Sequence, residues 1–383
     1  MNVTTKGVVL AAGEGKRMKP VSEIVPKEMI PILGKPFLYY VLRKLAQAKI
    51  RSVVIVTSDW KLPQIQSLDA SRLGLRVEYV VQKEPLGPAQ ALFEASACVD
   101  TEHMIVYYGD NLAEGNVPLE LLHAVRRNRR ADAVVSLREV QDTSRYGIAR
   151  LDGSRVVEIV EKPAEGREPS RFAAMGIYVM KTESFFQSLK GVAFEYGKEQ
   201  FPPQYIIRAG GRVTSWVFAG SWVDMGKPVD MLRASTLISS APIRGVVLRA
   251  DSILYGVANT PGDADKNTCG RRELLDEVGR LVRAIGVKDG FVMSSNRKEL
   301  VRRDLRPYGL EHFRFIRCDD EGALSSLRTY EAPLRAFDPN QLLVIGADYG
   351  HDLMGPARQG MHVLLARGKE DLAALKDLSS RST

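Results

Sequence analysis

Short apolar runs alternate with amphipathic stretches over most of the chain. The runs at 7–12, 52–57 and 104–108 are rich in valine and isoleucine and have the length of buried strands. The stretches at 36–49 and 118–129 place apolar residues at helical spacing. Regular alternation of strands and helices predicts an α/β fold with a parallel sheet covered by helices on both faces.

The pattern changes from about residue 146, where the apolar segments become shorter and follow one another directly. Short strands in sequence are typical of hairpins, which bring antiparallel pairs into a sheet. We therefore expect a doubly wound mixed sheet in this part of the chain. The predicted elements are strands at 147–151, 155–160, 173–180 and 212–217, and helices at 181–189 and after Pro228.

A polar interruption at Ser239-Ser240-Ala241-Pro242 precedes a new buried strand at 243–248. We predict a first domain over 1–238 and a second, smaller, Rossmann-like α/β domain over 239–383. The segment from Tyr255 to Cys269 is the long polar stretch of this second domain. Its predicted elements are helices at 271–284, 297–305, 322–330, 353–358 and from Lys369, and strands at 290–294, 314–316, 341–345 and 361–365.

Composition describes an ordinary globular chain, with 45% hydrophobic and 26% charged residues among 383. No apolar run approaches the roughly 20 residues of a membrane helix. Residues 1–6 lead directly into the first strand, which predicts that no signal peptide is present. The three cysteines, Cys98, Cys269 and Cys318, lack metal-ligand spacing. A cytoplasmic protein without a membrane partner is the resulting expectation.

The formal charge of +8 raises the question of nucleic-acid binding. The most basic run, 297–306, interleaves its cations with apolar residues at helical spacing, which is typical of a solvated helix face. It carries no aromatic platform for stacking bases. We therefore expect no nucleic-acid partner, and leave the oligomeric state open, with a homo-oligomer as one alternative.

Candidate chemistry begins at the turn that follows the first strand, Ala11-Ala12-Gly13-Glu14-Gly15. A glycine turn after a buried strand exposes main-chain N–H groups that suit a polyphosphate. Lys16, Arg17 and Lys27 add positive charge nearby. The spacing fits neither a Walker loop nor a dinucleotide fingerprint. Ala11, Ala12, Gly13 and Gly15 are thus candidate nucleotide-binding residues.

The longer string resembles the N-terminal signature of sugar-1-phosphate nucleotidylyltransferases: G-x-G-x-R, then Pro26-Lys27-Glu28-Met29, then Pro31 to Pro36. The motif Pro26-Lys27-Glu28-Met29 is most similar to the uridylyltransferase branch of this family. The resemblance as a whole covers about residues 5–238. It implies a nucleotide-diphospho-sugar transferase fold that binds a nucleoside triphosphate and a sugar 1-phosphate. For this reaction Arg17 is suited to bidentate binding of the leaving pyrophosphate and Lys27, as a compact charge, to the α-phosphate, which makes both candidate catalytic residues.

Two acidic residues resemble the magnesium ligands of this family. Asp110 follows a buried strand in Gly109-Asp110-Asn111, where an aspartate is by default a turn former. Asp224 lies in a Trp-x-Asp-x-Gly-x-Pro string that begins at Trp222. Two carboxylates together with substrate phosphate oxygens suit Mg²⁺. The resemblance also places Asp110 among the nucleotide-binding residues.

Further segments resemble the sugar pocket of the family, where the glutamate of Glu161-Lys162-Pro163 holds sugar hydroxyls and the lysine binds the sugar phosphate as a catalytic residue. Alternatively, Glu161 and Lys162 belong to an ordinary solvent-exposed turn. The chain departs from several relatives at Arg171, where they have asparagine, so the sugar stays open. The sugar-binding candidates are Tyr146, Gly147, Glu161, Lys162 and Gly176.

Base choice rests on the segment from Gln82 to Ala91, which resembles the lining of the family's base pocket and includes Gly87. A glutamine amide offers both a donor and an acceptor, which matches the imide edge of uracil or thymine. We predict UTP or dTTP, with glucose 1-phosphate as the sugar substrate. A surface position for Gln82 is the alternative.

The second domain resembles the haloacid dehalogenase-type phosphatases over Val246 to Tyr255. Arg249 stands at the position of that family's nucleophilic aspartate, Asp251 is retained, and Ala347 replaces an aspartate of the last, metal-binding motif. Without a carboxylate at 249, no aspartyl-phosphate can form, which predicts a domain without phosphatase activity. That Arg249 and Ser295 bind a phosphate is a further hypothesis.

Two other functions stay open at this point. One is an enzyme that uses GTP or ATP with mannose 1-phosphate or heptose 1-phosphate and has a linked sugar-phosphate phosphatase. The other is a sensor that binds nucleotide-sugars without making them.

Overall fold

The computed structural model describes residues 4–196, 201–255, 268–318 and 327–367. These residues form two compact units. The first consists of Met1–Glu14 and Phe37–Asp224, and the second of Gly15–Pro36 and Met225–Thr383. This division differs from the predicted boundary after residue 238 in two places, because Gly15–Pro36 and the helix before residue 239 both lie in the second unit.

The described residues contain eighteen strands and twelve α-helices. The strands are β1 (Thr5–Leu10), β2 (Pro31–Ile32), β3 (Lys35–Pro36), β4 (Ser52–Thr57), β5 (Arg76–Val81), β6 (His103–Tyr108), β7 (Asn111–Ala113), β8 (Ala133–Glu139), β9 (Gly147–Asp152), β10 (Arg155–Glu161), β11 (Phe172–Lys181), β12 (Val213–Phe218), β13 (Trp222–Asp224), β14 (Gly245–Arg249), β15 (Asp289–Ser294), β16 (Arg314–Arg317), β17 (Leu342–Gly346) and β18 (His362–Leu365). The helices are α1 (Val21–Ile24), α2 (Phe37–Gln47), α3 (Leu62–Gln66), α4 (Pro88–Glu94), α5 (Val117–Arg127), α6 (Thr182–Ser188), α7 (Pro203–Arg208), α8 (Asp230–Ile238), α9 (Thr268–Ala284), α10 (Lys298–Leu305), α11 (Glu331–Ala336) and α12 (Met354–Arg358).

The first unit is built on a nine-stranded mixed sheet in the order β5-β4-β1-β6-β11-β8-β12-β10-β9. The first four strands of this order run parallel, whereas β11 is antiparallel to both of its neighbours β6 and β8. The hairpin β9–β10 completes the sheet. The mixed sheet predicted from the change of pattern near residue 146 is confirmed.

Burial explains why the central strands read as unbroken apolar runs. Val8 of β1, Val106 of β6 and Tyr178 of β11 are all fully buried and belong to one hydrophobic cluster. Strands covered on both faces have no solvent side on which to place polar residues. The carboxyl ends of β1 and β6 are thereby positioned firmly at one edge of the sheet.

A second, two-stranded sheet in the first unit was not expected from the sequence. β7 and β13 pair antiparallel, with Asp224 opposite Asn111. Each strand has only three residues, too few to show alternation, so the pairing depends on contacts far apart in the sequence. This ribbon carries both predicted magnesium ligands or their immediate neighbours.

The second unit contains a five-stranded parallel sheet in the order β16-β15-β14-β17-β18. A hydrophobic cluster joins Val246 and Leu248 of β14 to Val229 and Leu232, which lie before the predicted boundary. Ser235 of α8 also lies 2.7 Å from Nδ1 of the buried His362. This packing is why α8 belongs to the second unit.

Most predicted elements occur within two or three residues of their expected bounds. Of the helix expected at 322–330, residues 322–326 lie outside the described residues, and Leu327–Tyr330 form a turn of 3₁₀ helix that is followed directly by α11. The helix expected from Lys369 and most of the Tyr255–Cys269 stretch also lie outside them. Neither Cys98 nor Cys318 takes part in a disulfide bond. Among the helices described, none combines the length and the apolar character needed to cross a bilayer.

Candidate functional site

The turn after β1 is held by the rest of the first unit. Ala11 donates its N–H to the carbonyl oxygen of Val56 in β4, at 2.7 Å, so the chain leaves the sheet at a fixed point. Ala12 and Gly13 follow without regular structure, and Gly13 is exposed. The predicted phosphate-binding turn is therefore at the carboxyl edge of the parallel strands, where open α/β sheets bind ligands.

Lys61 is a residue of this turn that sequence reasoning missed. Its side chain is almost completely buried, and Nζ donates to the carbonyl oxygens of Ala11 at 3.1 Å and Gly13 at 2.5 Å. In a trans peptide unit the N–H points away from the C=O, so the next amides along the turn point away from Lys61. A buried ammonium thus orients the turn. No local pattern in the sequence identifies this lysine.

Gln82 lies at the end of β5 and is nearly buried. Its amide Nε2 donates to the carbonyl oxygen of Gly87 at 3.1 Å and to Oε1 of Gln90 at 2.6 Å. Both amide hydrogens are then used within the chain. The amide nitrogen of Gln82 is thus engaged within the chain, and the expected donor-and-acceptor pairing with a base stays a prediction.

Asp110 and Asp224 come together through the β7–β13 ribbon. Asp224 lies directly opposite Asn111, the residue after Asp110. Residues opposite each other in an antiparallel ladder have Cα atoms about 4.5–5.5 Å apart. Asn111 donates from Nδ2 to Oδ1 of Asp110 at 2.8 Å and accepts from Nε1 of Trp222 at 2.7 Å. Two acidic residues that are 114 positions apart in sequence thus share one end of a small ribbon.

The two carboxylates at this ribbon are compatible with Mg²⁺, which takes few protein ligands. Within the part of the chain that the structure describes, no cluster of three or more His, Cys, Asp and Glu side chains could hold an ion. Mg²⁺ is commonly bound by one or two carboxylates that leave positions for water and substrate phosphates. Asp110 and Asp224 supply such a pair.

The candidate sugar-binding residues are also neighbours. Lys162 donates its N–H to the carbonyl oxygen of Tyr146 at 2.9 Å, and its Nζ lies 3.0 Å from Oε1 of Glu161. Gly147 is opposite Glu161 in the β9–β10 ladder. The Tyr146 ring packs on Trp222 with a centroid distance of 4.9 Å. Trp222 therefore links this group to the acidic ribbon.

Gly176 is in β11 beside Tyr108, two residues before Asp110. It has a φ of +72°, and a Cβ at this position would come within 2.9 Å of the Tyr108 ring. Only glycine permits both this backbone conformation and this approach. Gly176 therefore lies next to the loop that carries Asp110.

Arg17 and Lys27 belong to the second unit. Arg17 is exposed in a turn of 3₁₀ helix, Lys16–Met18, which begins after Gly15. Lys27 begins another such turn, and its Cδ lies 3.6 Å from where a Cβ on Gly15 would be. The structure thus brings Gly15 and Lys27 together within that unit.

In the second unit, Arg249 is buried and its Nε lies 3.4 Å from Oδ1 of Asp352. Its guanidinium also donates to the hydroxyl of Tyr330 at 3.5 Å, and burial raises the pKa of Tyr330 to about 12. Oδ2 of Asp352 accepts the N–H groups of Ala347 and Asp348, each at 3.1 Å. A positive charge carried by the chain itself therefore lies among the positions that resemble a metal-binding motif.

Asp251 is likewise engaged by its own chain. Its carboxylate accepts hydrogen bonds from the Ser294 hydroxyl, from the N–H and hydroxyl of Ser295, and from Nδ2 of Asn296. Burial by itself would raise the pKa of Asp251, but these hydrogen bonds outweigh it and hold the pKa below its usual value. The donors of Ser295 proposed for a phosphate are thus directed at Asp251.

Comparison with known proteins gives the same assignment for the first part of the chain. The family model described as nucleotidyl transferase matches residues 6–241. The glucose-1-phosphate thymidylyltransferase of Streptomyces antibioticus is 30% identical over 239 residues, which is 61% of this chain and 66% of that protein. The mannose-1-phosphate guanylyltransferase of Mycobacterium tuberculosis is 31% identical over 265 residues, or 67% of this chain and 71% of that protein.

A solved structure has the same fold over the same region. The protein of Bacillus anthracis assigned as a glucose-1-phosphate thymidylyltransferase, in complex with sucrose, superposes with a TM-score of 0.56 at 28% identity. The match covers 62% of this chain and 96% of that one. The family model covers well over half of the 383 residues, and we conclude that the chain belongs to the nucleotidyl transferase family.

Proposed function

We propose that this protein transfers a nucleotidyl group from a nucleoside triphosphate to a sugar 1-phosphate, forming a nucleoside-diphosphate sugar and pyrophosphate. The observation that carries the proposal is the β7–β13 ribbon, which pairs Asp224 with the residue after Asp110 and continues through Trp222 to Tyr146. A metal site and a sugar-phosphate site that share one support are what a two-substrate transfer reaction needs.

Mg²⁺ is the proposed cofactor, held by Asp110 and Asp224 together with phosphate oxygens of the substrates. When bound, it would neutralise charge on the triphosphate and orient the α-phosphate. The remaining catalytic work is positioning, because the phosphate of a sugar 1-phosphate is already largely ionised near neutral pH and needs no strong base.

The proposed roles of the cations follow from the shapes of the arginine and lysine head groups. A guanidinium binds phosphate oxygens in a bidentate manner, whereas an ammonium acts as a compact point charge. We assign Arg17 to the pyrophosphate that leaves, Lys27 to the α-phosphate, and Lys162 to the phosphate of the sugar. Glu161, Tyr146, Gly147 and Gly176 would form the sugar subsite, and Ala11, Ala12, Gly13, Gly15 and Gly87 the nucleotide subsite.

For the base we propose uracil or thymine, and for the sugar glucose. Oε1 of Gln82 is an acceptor that suits the N3–H of either pyrimidine, and the Streptomyces relative is named as a thymidylyltransferase. A GTP enzyme acting on mannose 1-phosphate is the second candidate, since guanine N1–H is also a donor and the Mycobacterium relative is named as a guanylyltransferase.

For the second unit we propose a haloacid dehalogenase-like domain without hydrolytic activity. The buried Arg249–Asp352 pair supports this, because a guanidinium beside that carboxylate would compete with Mg²⁺ for it. The full-length protein should then release no phosphate from p-nitrophenyl phosphate or from sugar phosphates. Phosphate release that is lost in Asp251→Ala would show instead a linked phosphatase.

Pyrophosphate release over a matrix of four triphosphates and several sugar 1-phosphates, with Mg²⁺, tests the proposed reaction. We expect turnover with UTP or dTTP and glucose 1-phosphate, and almost none in Asp224→Asn. Turnover with GTP and mannose 1-phosphate alone would support the second candidate. Tight binding of a nucleotide-sugar without turnover for any pair would show a sensor.

A further inference from the structure

The segment Gly15–Pro36, which carries Arg17 and Lys27, lies in the sequence between the two parts of the first unit. It nevertheless packs as part of the second unit. It contains only short elements, namely α1 and the two-residue strands β2 and β3. Helices of one turn are not stable by themselves in water. The conformation of this segment must therefore come from what it packs against.

The hairpin tip at Leu33-Gly34 makes a first contact with the rest of the second unit. Gly34 donates its N–H to the carbonyl oxygen of Ala357, at the end of α12, over 2.8 Å. A Cβ on Gly34 would lie 3.3 Å from the carbonyl oxygen of Arg358, and a Cβ on Gly360 would lie 3.9 Å from the main chain of Leu33. The main chain of the tip thus packs directly against the main chain at the end of α12.

This tip also has a backbone that needs support. Leu33 has a φ of +46° and Gly34 of +80°, the pattern of a type I′ hairpin turn. A leucine pays a steric penalty in this conformation, and such strained residues persist where their surroundings hold them. The contact with Ala357 and Gly360 supplies that support.

The second contact involves α1 and the π-helical turn Tyr349–Leu353, which pack on each other. A Cβ on Gly350 would lie 3.4 Å from Cδ1 of Ile24. The turn itself is fixed by Asp352, whose carboxylate binds two main-chain N–H groups and the buried Arg249. The Arg249–Asp352 ion pair therefore fixes the conformation of the Tyr349–Leu353 turn, against which α1 packs.

We propose that the second unit is a positioning platform for Arg17 and Lys27, which fixes the segment Gly15–Pro36 through the Tyr349–Leu353 turn and the Ala357–Gly360 end of α12. The proposal rests on the nucleotidylyltransferase function proposed above. Ordering a loop costs backbone conformational entropy. Because the second unit orders the segment when the protein folds, the free energy of nucleotide binding is not reduced by this entropy cost.

Gly360→Val in the full-length protein tests the platform from the side that lies outside the catalytic segment. The new side chain would be inserted between Leu33 and Pro339, whose nearest atoms lie 3.9 Å and 3.7 Å from a Cβ at Gly360, a glycine with a φ of +90°. Gly286→Val is the matched control, because Gly286 belongs to the same unit, has a φ of +69° and has no heavy atom within 4 Å of its Cβ position. Both variants carry the strain of a side chain at positive φ, but only the first disturbs the tip.

We expect Gly360→Val to lower kcat/KM for the triphosphate by about tenfold or more, and Gly286→Val to stay within about twofold of the wild type. Hydrogen exchange at amides of residues 15–36 should be at least about tenfold faster in Gly360→Val alone. Gly34→Ala is a milder variant of the same contact, and its effect should not add to that of Gly360→Val.

Three results would overturn the platform: unchanged exchange at 15–36 in folded Gly360→Val, faster exchange with unchanged kinetics, or equal effects of Gly286→Val. If Gly360→Val does not fold, Gly34→Ala decides by the same two measurements. A wild type that turns over no substrate pair would refute the proposed reaction, whereas exchange at 15–36 would still show whether the second unit holds the segment.

Discussion

The ammonium of Lys61 lies 3.1 Å from the main-chain carbonyl oxygen of Ala11, although the two residues are 50 positions apart. Lys61 follows β4, and Ala11 ends the apolar run of β1. A lysine that follows the neighbouring strand therefore fixes the turn that is proposed to bind the triphosphate, and its buried positive charge lies directly against that turn.

Lys61→Met should keep the volume of the side chain but lose both hydrogen bonds to the turn. Leaving buried carbonyl groups without a donor costs about 1–3 kcal/mol, so we expect a lower melting temperature and a loss of about tenfold or more in kcat/KM for the triphosphate. Steady-state kinetics with both substrates measure this. The exposed Lys190 provides the control, Lys190→Met, and kinetics of Lys61→Met equal to that control would refute the role.

Asp110→Asn and Asp224→Asn should each reduce turnover by about 100-fold or more, because each removes a charge that holds the metal. Their thermal stability should change little, since neither carboxylate is part of a hydrophobic core. Turnover as a function of Mg²⁺ concentration should show a higher requirement in both variants. Asp152→Asn, at an exposed hairpin position, is the matched control. A normal Mg²⁺ requirement in either site variant would remove that residue from the metal site.

Lys162→Met should raise KM for the sugar 1-phosphate by about tenfold or more and leave KM for the triphosphate nearly unchanged, because the proposed contact is with one substrate only. Glu161→Gln removes the partner that lies 3.0 Å from Nζ of Lys162 but keeps the lysine charge, so its effect on the sugar phosphate should be smaller. Equal increases in both KM values would contradict the assignment of Lys162.

Arg249→Met should destabilise the second unit by about 3–5 kcal/mol, because it leaves the buried carboxylate of Asp352 without a counter-charge. In the double variant Arg249→Met/Asp352→Asn, the uncompensated charge is gone while an oxygen remains to accept the N–H groups of Ala347 and Asp348. We therefore expect the double variant to be more stable than Arg249→Met alone, as measured by urea unfolding. The opposite order would show that the ion pair is not the source of the effect.

Protonation of His362 should contribute to the pH dependence of the free energy of unfolding. Burial lowers the pKa of this ring, which is held by Ser235 and by the carbonyl oxygen of Asn340. Above about pH 6.5 the ring is neutral in both states. Below that, the unfolded chain binds a proton that the folded chain binds only at lower pH, so the free energy of unfolding falls with decreasing pH, by at most about 1.4 kcal/mol per pH unit for one proton.

Replacing His362 by glutamine should make the decrease between pH 7 and pH 5 shallower. Thermal unfolding across this range measures the difference, with His312→Gln as a variant at an exposed position. A slope for His362→Gln that equals that of the wild type would assign the pH dependence to other groups.

Local sequence predicted the central elements because buried parallel strands and amphipathic helices have strong periodic patterns. It also singled out Asp110 and Asp224 by resemblance, and the structure pairs Asp224 with Asn111, the residue after Asp110. It missed β7, β13 and the β2–β3 hairpin, because elements of two or three residues are too short to have a period. The contacts of Gln82 could not be predicted, since its amide nitrogen donates to Gly87 and Gln90 only once the fold brings them together.

By itself, the sequence determined the class of fold and the family, since apolar periodicity and the residues of the motifs are properties of the chain. Only the tertiary structure decided that Lys61 supports the turn after β1, that Arg249 pairs with Asp352, and that Gly15–Pro36 belongs to the second unit. The physical reason is that these contacts join residues far apart in the chain. Their partners are chosen by the packing of whole elements and not by neighbours in sequence.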